Sequence, residues 1–271
     1  MNASNVIWII TFAAELVLLV VLLGRERIQR FPWFTASIAV MALRLMTAKL
    51  LNGRLPQITM VSIFILLADL SAILTIAVLI EIARRSFAGA GGRAWAMGAT
   101  ILALPGIATL ALWGKWPPWA TLATHSQMAM LGLGQLVAQK LGLFGDVTSV
   151  ALCVAVVLLG ARFGAGHRSH TQQLVVGLAA AALSQIGVQA TWEFIAKTAA
   201  PHTMAEYQHV LAIRDRLFDA NGVIYSAVIL WWIVCLWFDE PGKGPSAAET
   251  SATDGSNADG HAPEEPTATA G

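Results

Sequence analysis

The sequence predicts an all-α, polytopic transmembrane bundle of about seven spans, with its N-terminus outside and its C-terminus cytoplasmic. Three observations carry this. Hydrophobic residues make up 56% of the 271 positions and charged residues only 12%, against roughly 25% charged in an ordinary soluble domain. Apolar runs of spanning length recur along the chain, and their Lys and Arg neighbours alternate between dense and sparse. A soluble protein of this size has no interior large enough for so much apolar surface, so the bilayer is its solvent.

The apolar runs lie at about 5–23, 33–51, 57–81, 94–114, 145–163, 172–194 and 220–238. At 1.5 Å per residue each reaches across a hydrocarbon core of roughly 30 Å. Backbone groups facing lipid need partners within their own segment, so each run is a helix. The first run is read as a retained span. Arg25, Arg27 and Arg30 follow it in place of a small-residue cleavage site.

Orientation follows from the basic residues beside the spans. The first connection carries Arg25, Arg27 and Arg30, the third Arg84, Arg85 and Arg93, and the fifth Arg162 and Arg168. The second holds only Arg54, and the fourth begins with Lys115. The odd connections are therefore placed in the cytoplasm, as expected for a bacterial inner membrane protein. Trp8, Trp113, Trp116, Trp119 and Trp192 then mark an outer aromatic belt, and Trp33, Trp95 and Trp237 an inner one.

Two outer segments are too polar to read as spans. Residues 119–141 mix Thr121, His125, Gln135 and Gln139 with apolar positions. They are expected to form an interfacial or re-entrant helix. Residues 203–218 form a second outer helix. Thr203 and Glu206 have capping-box spacing, and Met204, Tyr207, Leu211 and Phe218 share one face. From 241 to 271 the composition turns to Gly, Pro, Ala, Ser, Thr and acidic residues. Such a segment buries too little apolar surface to offset its ordering entropy, so a disordered cytoplasmic tail is expected. It is too short for a catalytic output domain.

The run FPWFTASIAVMALRL from Phe31, the segment IEIARRSF at the end of the third span, and YSAVILWWIVCLWFDEP at the close of the seventh resemble uncharacterised seven-helix bacterial membrane proteins. The resemblance extends over most of residues 5–241 and implies a fold without an activity. An N-out, seven-span order is also similar to that of rhodopsins. Residues 220–238 contain no Lys for a retinal Schiff base, so that function does not carry over.

Charged residues inside spans normally face the bundle interior and find partners. Glu15, Arg44 and Asp69 sit near the middles of the first three spans, within roughly 5 Å of one plane at 1.5 Å per residue. A buried Glu–Arg–Asp cluster is expected, with a register-fixing role favoured over a proton or ion pathway. Lys49 and Glu81 lie near span ends, where snorkelling is expected.

A second polar set lies in the outer half. Gln185, Gln189 and Glu193 recur at i, i+4 and i+8 on one face of the sixth span. Asp146 opens the fifth span, and Asp219, Asn221 and Tyr225 open the seventh. Together they are expected to line a water-filled cavity open to the outside. Ordinary helix-end polarity and interhelical hydrogen bonding are the competing reading. Small residues Gly177, Ala181 and Ser184 suggest close packing of the sixth span.

Several chemistries fit poorly. His202, Glu206 and His209 are spaced for one helix face, but the Thr203 cap removes His202 from the helix, so no metal site is expected. Gly142–Asp146 is similar to an intramembrane aspartyl protease motif with one residue too many between its glycines. No His lies mid-span for haem, Cys153 and Cys235 are isolated in apolar runs, and phosphate-binding or nucleophile-elbow patterns are absent. No cofactor and no nucleic-acid partner is expected. The favoured class is a ligand-sensing or accessory membrane protein whose partners are the lipid bilayer and a membrane or cytoplasmic protein that receives its signal. A small proton- or ion-coupled transporter is the alternative, and an intramembrane enzyme comes third.

Overall fold

A computed structural model describes residues 3–51, 53–87, 100, 103–111, 127–160, 169–199 and 203–238. Among them the secondary structure is entirely helical: α1 (Ala3–Gly24), α2 (Pro32–Leu50), α3 (Gln57–Ser86), α4 (103–111), α5 (Gln127–Gly160), α6 (His170–Thr198) and α7 (Met204–Trp237). All except α4 are long and apolar enough to cross a membrane. The chain is a multi-pass helical membrane protein. Of the expected fourth span, 94–114, α4 is the part described. The expected tail, 241–271, lies outside the described residues.

Helix ends follow from local chemistry. After α1, Glu26 adopts φ 53°, a left-handed turn that redirects the chain toward Pro32 at the start of α2. Proline suits a first helical turn, whose N–H groups lack intrahelical partners. Between α2 and α3, Gly53 sits at φ 77°, where a side chain would strain the backbone. The Ser169 side chain caps α6 by accepting from the Gln172 N–H at 3.3 Å. At α7 the capping box is complete: Thr203 Oγ1 accepts from Glu206 N at 3.2 Å, and Glu206 Oε2 accepts from Thr203 N at 3.3 Å.

The two expected outer helices are not separate elements. Residues 127–141 run without a break into the fifth span as the 34-residue α5, and 204–218 run into the seventh as the 34-residue α7. Each is roughly 51 Å long at 1.5 Å per residue, well beyond the hydrocarbon thickness. The polarity of the α5 segment has an internal cause. Gln135, Gln139, Asp146 and Ser149 continue one helical stripe at intervals of four, seven and three, and that stripe faces a cavity. Polar side chains turned inward are compatible with a membrane helix, so they do not mark its end.

The six long helices form a closed ring in the order α1, α2, α3, α5, α6, α7, with α7 returning to α1. α4 lies against the α5 face, where Gly106 meets the ring of Phe144 and Thr148. The core concentrates at the end of the ring that holds the start of α2 and the end of α7. Leu22, Phe31, Phe34, Ile82, Leu174, Ile229 and Leu236 are all buried there. Phe34 and Trp232 pack edge to face at 5.1 Å between ring centroids. Gly177 on α6 lies directly under the Trp232 indole. Its place in a small-residue stripe thus has a specific cause, since any side chain would occupy the volume of the indole.

Glu81 does not snorkel. It is buried on α3, and its Oε2 accepts from the Phe34 N–H at 3.3 Å. Phe31, at the N-cap of α2, makes no side-chain cap of its own. The carboxylate supplies from a neighbouring helix the cap and negative charge that a helix N-terminus favours. Arg85 stands 3.7 Å from Glu81 and over the Phe31 ring. Lys49, expected at the surface, donates to Asn5 Oδ1 at 2.9 Å and lies over the Trp8 ring.

Candidate functional site

A cavity of about 850 Å³ lies within the helix ring, inside the size range of small-molecule sites. Each wall follows the helical period. α2 contributes Phe34, Ser37, Met41 and Arg44, α5 contributes Gln135, Gln139, Asp146 and Ser149, and α6 contributes Leu178, Gln185 and Gln189. From α7 come Phe218, Asn221, Tyr225 and Trp232. The α3 wall is mostly apolar, with Val61, Phe64 and Ile65, relieved by Ser71 and Thr75.

The lining is graded along the bundle axis. At one end Phe34, Val78, Leu178 and Trp232 form a floor that continues into the buried core. At the other end Arg44, Gln139, Gln189 and Asn221 gather. A second hollow of about 440 Å³ adjoins that polar end. It shares Gln139, Gln185, Gln189 and Phe218 with the main cavity and adds Trp192 and Glu193.

Of the outer polar set, Asp146, Gln185, Gln189, Asn221 and Tyr225 are placed in the lining of the main cavity. Glu193 lines the adjoining hollow and sits 3.8 Å from Lys197. Asp219 points elsewhere and accepts from Ser4 Oγ of α1 at 3.1 Å.

Two polar clamps hold the walls. Asn221 Nδ2 donates to Gln185 Oε1 at 2.7 Å, while Ser184 Oγ donates to Asn221 Oδ1, also at 2.7 Å. One side chain thus joins α7 to two successive positions of α6. Thr11 and Ser226 exchange a 2.6 Å hydrogen bond between α1 and α7. Asn221→Ala is expected to lower stability by about 1–3 kcal/mol, because Gln185 and Ser184 lose their partner together. Thermal unfolding in detergent measures it. A change within about 0.5 kcal/mol would mean that the clamp does not hold the wall.

The three mid-span charges are not joined by any ion pair or hydrogen bond. Glu15 is fully buried, and its Oε1 accepts from the Tyr225 hydroxyl at 3.1 Å. That hydroxyl also lies 2.7 Å from Met41 Sδ and has one proton to give to either. Tyr225 therefore stands between Glu15 and the cavity. Arg44 lines the cavity, whereas Asp69 is half-buried on α3 outside the lining. Depth along a helix leaves the rotation of each side chain about the axis undetermined: Glu15 and Arg44 both lie near Tyr225, while Asp69 stands outside the lining. Arg44 and Gln139 are cavity residues that sequence reasoning placed in other groups. Their spacing from Met41 and from Asp146 on the same helix faces was the available signal.

No group of three or more metal-binding side chains occurs among the described residues. Cys153 and Cys235 are free thiols. No family model matches the chain, and no curated protein or solved structure shows significant similarity to it.

Proposed function

We propose that this chain is a ligand-sensing or accessory protein of a bacterial inner membrane, with its N-terminus outside and its polar cavity open to the outside. One observation carries the reading: a closed helix ring surrounds a cavity that is polar at one end and sealed by Phe34 and Trp232 at the other. A pocket with a packed floor suits binding, whereas conduction requires a path through. The basic residues of the first, third and fifth connections support placing the floor end in the cytoplasm.

The test uses cysteine accessibility in a Cys153→Ser, Cys235→Ser background. Gln189→Cys and Asn221→Cys are expected to react with a membrane-impermeant maleimide in intact cells. Val78→Cys, at the floor, is expected to stay unreacted from either side. Labelling of the polar-end cysteines only in inverted vesicles would reverse the orientation. No labelling from either side would remove the cavity reading. Labelling of Val78→Cys from the cytoplasmic side would favour a carrier that alternates its access.

A further inference from the structure

The charges in the cavity, more than its shape, point to what it holds. Among the described residues that line it, Arg44 and Asp146 alone are charged. One stands on α2 and the other on α5, with α3 between them in the ring. Neither makes an ion pair or hydrogen bond with another described residue. Glu81 holds the start of α2, Lys49 holds Asn5 and Glu15 accepts from Tyr225, while Asp69, outside the lining, is the other mid-span charge with no hydrogen bond or ion pair among the described residues. A charge at membrane depth is costly unless water or a partner meets it. What sets Arg44 and Asp146 apart is that they carry opposite charges and face the same cavity.

We propose that the cavity takes a zwitterion, with its carboxylate or phosphate on Arg44 and its ammonium group on Asp146. An anion alone leaves Asp146 unmatched, and a cation alone leaves Arg44 unmatched. A zwitterion meets both while adding no net charge to the membrane interior. The guanidinium offers a planar fork of donors suited to carboxylate or phosphate oxygens. Gln139, Gln185 and Gln189 add neutral hydrogen-bonding groups to the lining, and Phe64 and Ile65 on α3 give an apolar wall for a hydrocarbon side chain. Glu15 does not compete for the ammonium group, because it is fully buried and Tyr225 covers it. This inference rests on the cavity being open, as proposed above. The same chemistry is found in a free amino acid or short peptide and in a phosphatidylethanolamine headgroup.

The purified full chain in detergent is tested by the rise of its unfolding temperature with L-leucine, leucylglycine and dihexanoyl phosphatidylethanolamine, which vary the spacing of the two charges. Isovalerate and isoamylamine, each with one charge, are the controls. At least one zwitterion is expected to stabilise the protein, with the controls at least about tenfold weaker. Arg44→Gln and Asp146→Asn are each expected to weaken that binding by about tenfold or more. Arg44→Lys restores part of it, so the Arg44 variants decide the matter even if Asp146→Asn folds poorly. A response to the phospholipid alone assigns the headgroup, and a response to leucine or the dipeptide assigns a solute. The proposal is overturned if no zwitterion acts at up to about 10 mM, if the controls act equally well, or if Arg44→Gln binds as the parent does. The cysteine test uses no ligand. Labelled cysteines with any of these failures would sink the zwitterion and leave the open cavity standing.

Discussion

Truncating Trp232 to alanine is expected to cost about 3–5 kcal/mol, the usual range for removing a buried aromatic side chain. The indole is 2% exposed, meets Phe34 edge to face, and covers Gly177 on α6. It thus joins α2, α6 and α7 at the floor of the cavity. Gly177→Ala is expected to cost about 1–3 kcal/mol for the opposite reason, overpacking, because its methyl group falls within the indole. The two effects are coupled. With Trp232 reduced to alanine, the added methyl meets empty space, so Gly177→Ala is expected to become neutral or mildly stabilising in that background. Unfolding temperatures of the two single variants and the double variant in detergent give the cycle. Simple additivity would show that Gly177 and Trp232 do not share this contact, and the floor of the cavity would need another basis. The same variants report on function. Opening the floor is expected to let the maleimide reach Val78→Cys, which is expected to stay unreacted with Trp232 in place.

The second large effect is at Glu81. Replacing it by alanine removes the acceptor for the Phe34 N–H and the partner of Arg85 at once. A charge-assisted hydrogen bond of this kind is worth about 1.5–3 kcal/mol, and Arg85 left beside a buried apolar surface adds to the loss. Glu81→Gln keeps an oxygen for the Phe34 N–H and is expected to recover part of the stability but not the contribution of the charge at the helix N-terminus. Lys197→Ala gives the scale for an exposed pair. Lys197 sits 3.8 Å from Glu193 one turn away, with its side chain 78% exposed, and its loss is expected to cost no more than about 0.5 kcal/mol. Equal effects at Glu81 and Lys197 would mean that Glu81 does not cap α2.

The membrane bundle was legible in the amino-acid sequence because its signal is one-dimensional. Hydrophobic length is a property of consecutive residues, and the bilayer imposes it segment by segment. The capping box of Thr203 and Glu206 was legible for the same reason, since both partners lie within one turn. Gln185, Gln189, Asn221, Tyr225 and Asp146 could be grouped because helical period and depth are both counted along the chain. Tertiary structure decided what depends on rotation and on neighbours. The polarity of residues 127–141 is at odds with a span in one dimension and is accommodated in three, because Gln135 and Gln139 of α5 face the cavity. Glu15 is bonded to Tyr225, Arg44 lines the cavity beside the same tyrosine, and Asp69 stands outside the lining, which depth alone does not distinguish. Asp219 is two residues from Asn221, yet two residues turn a helix by about 200°, and it reaches Ser4 on α1 instead of the cavity. Glu81 looked like a surface charge because the helix start it caps belongs to another segment, 47 positions away in sequence. Periodicity assigns a residue to a face of its own helix. Which neighbour that face meets is decided by packing, and packing depends on every helix in the ring at once.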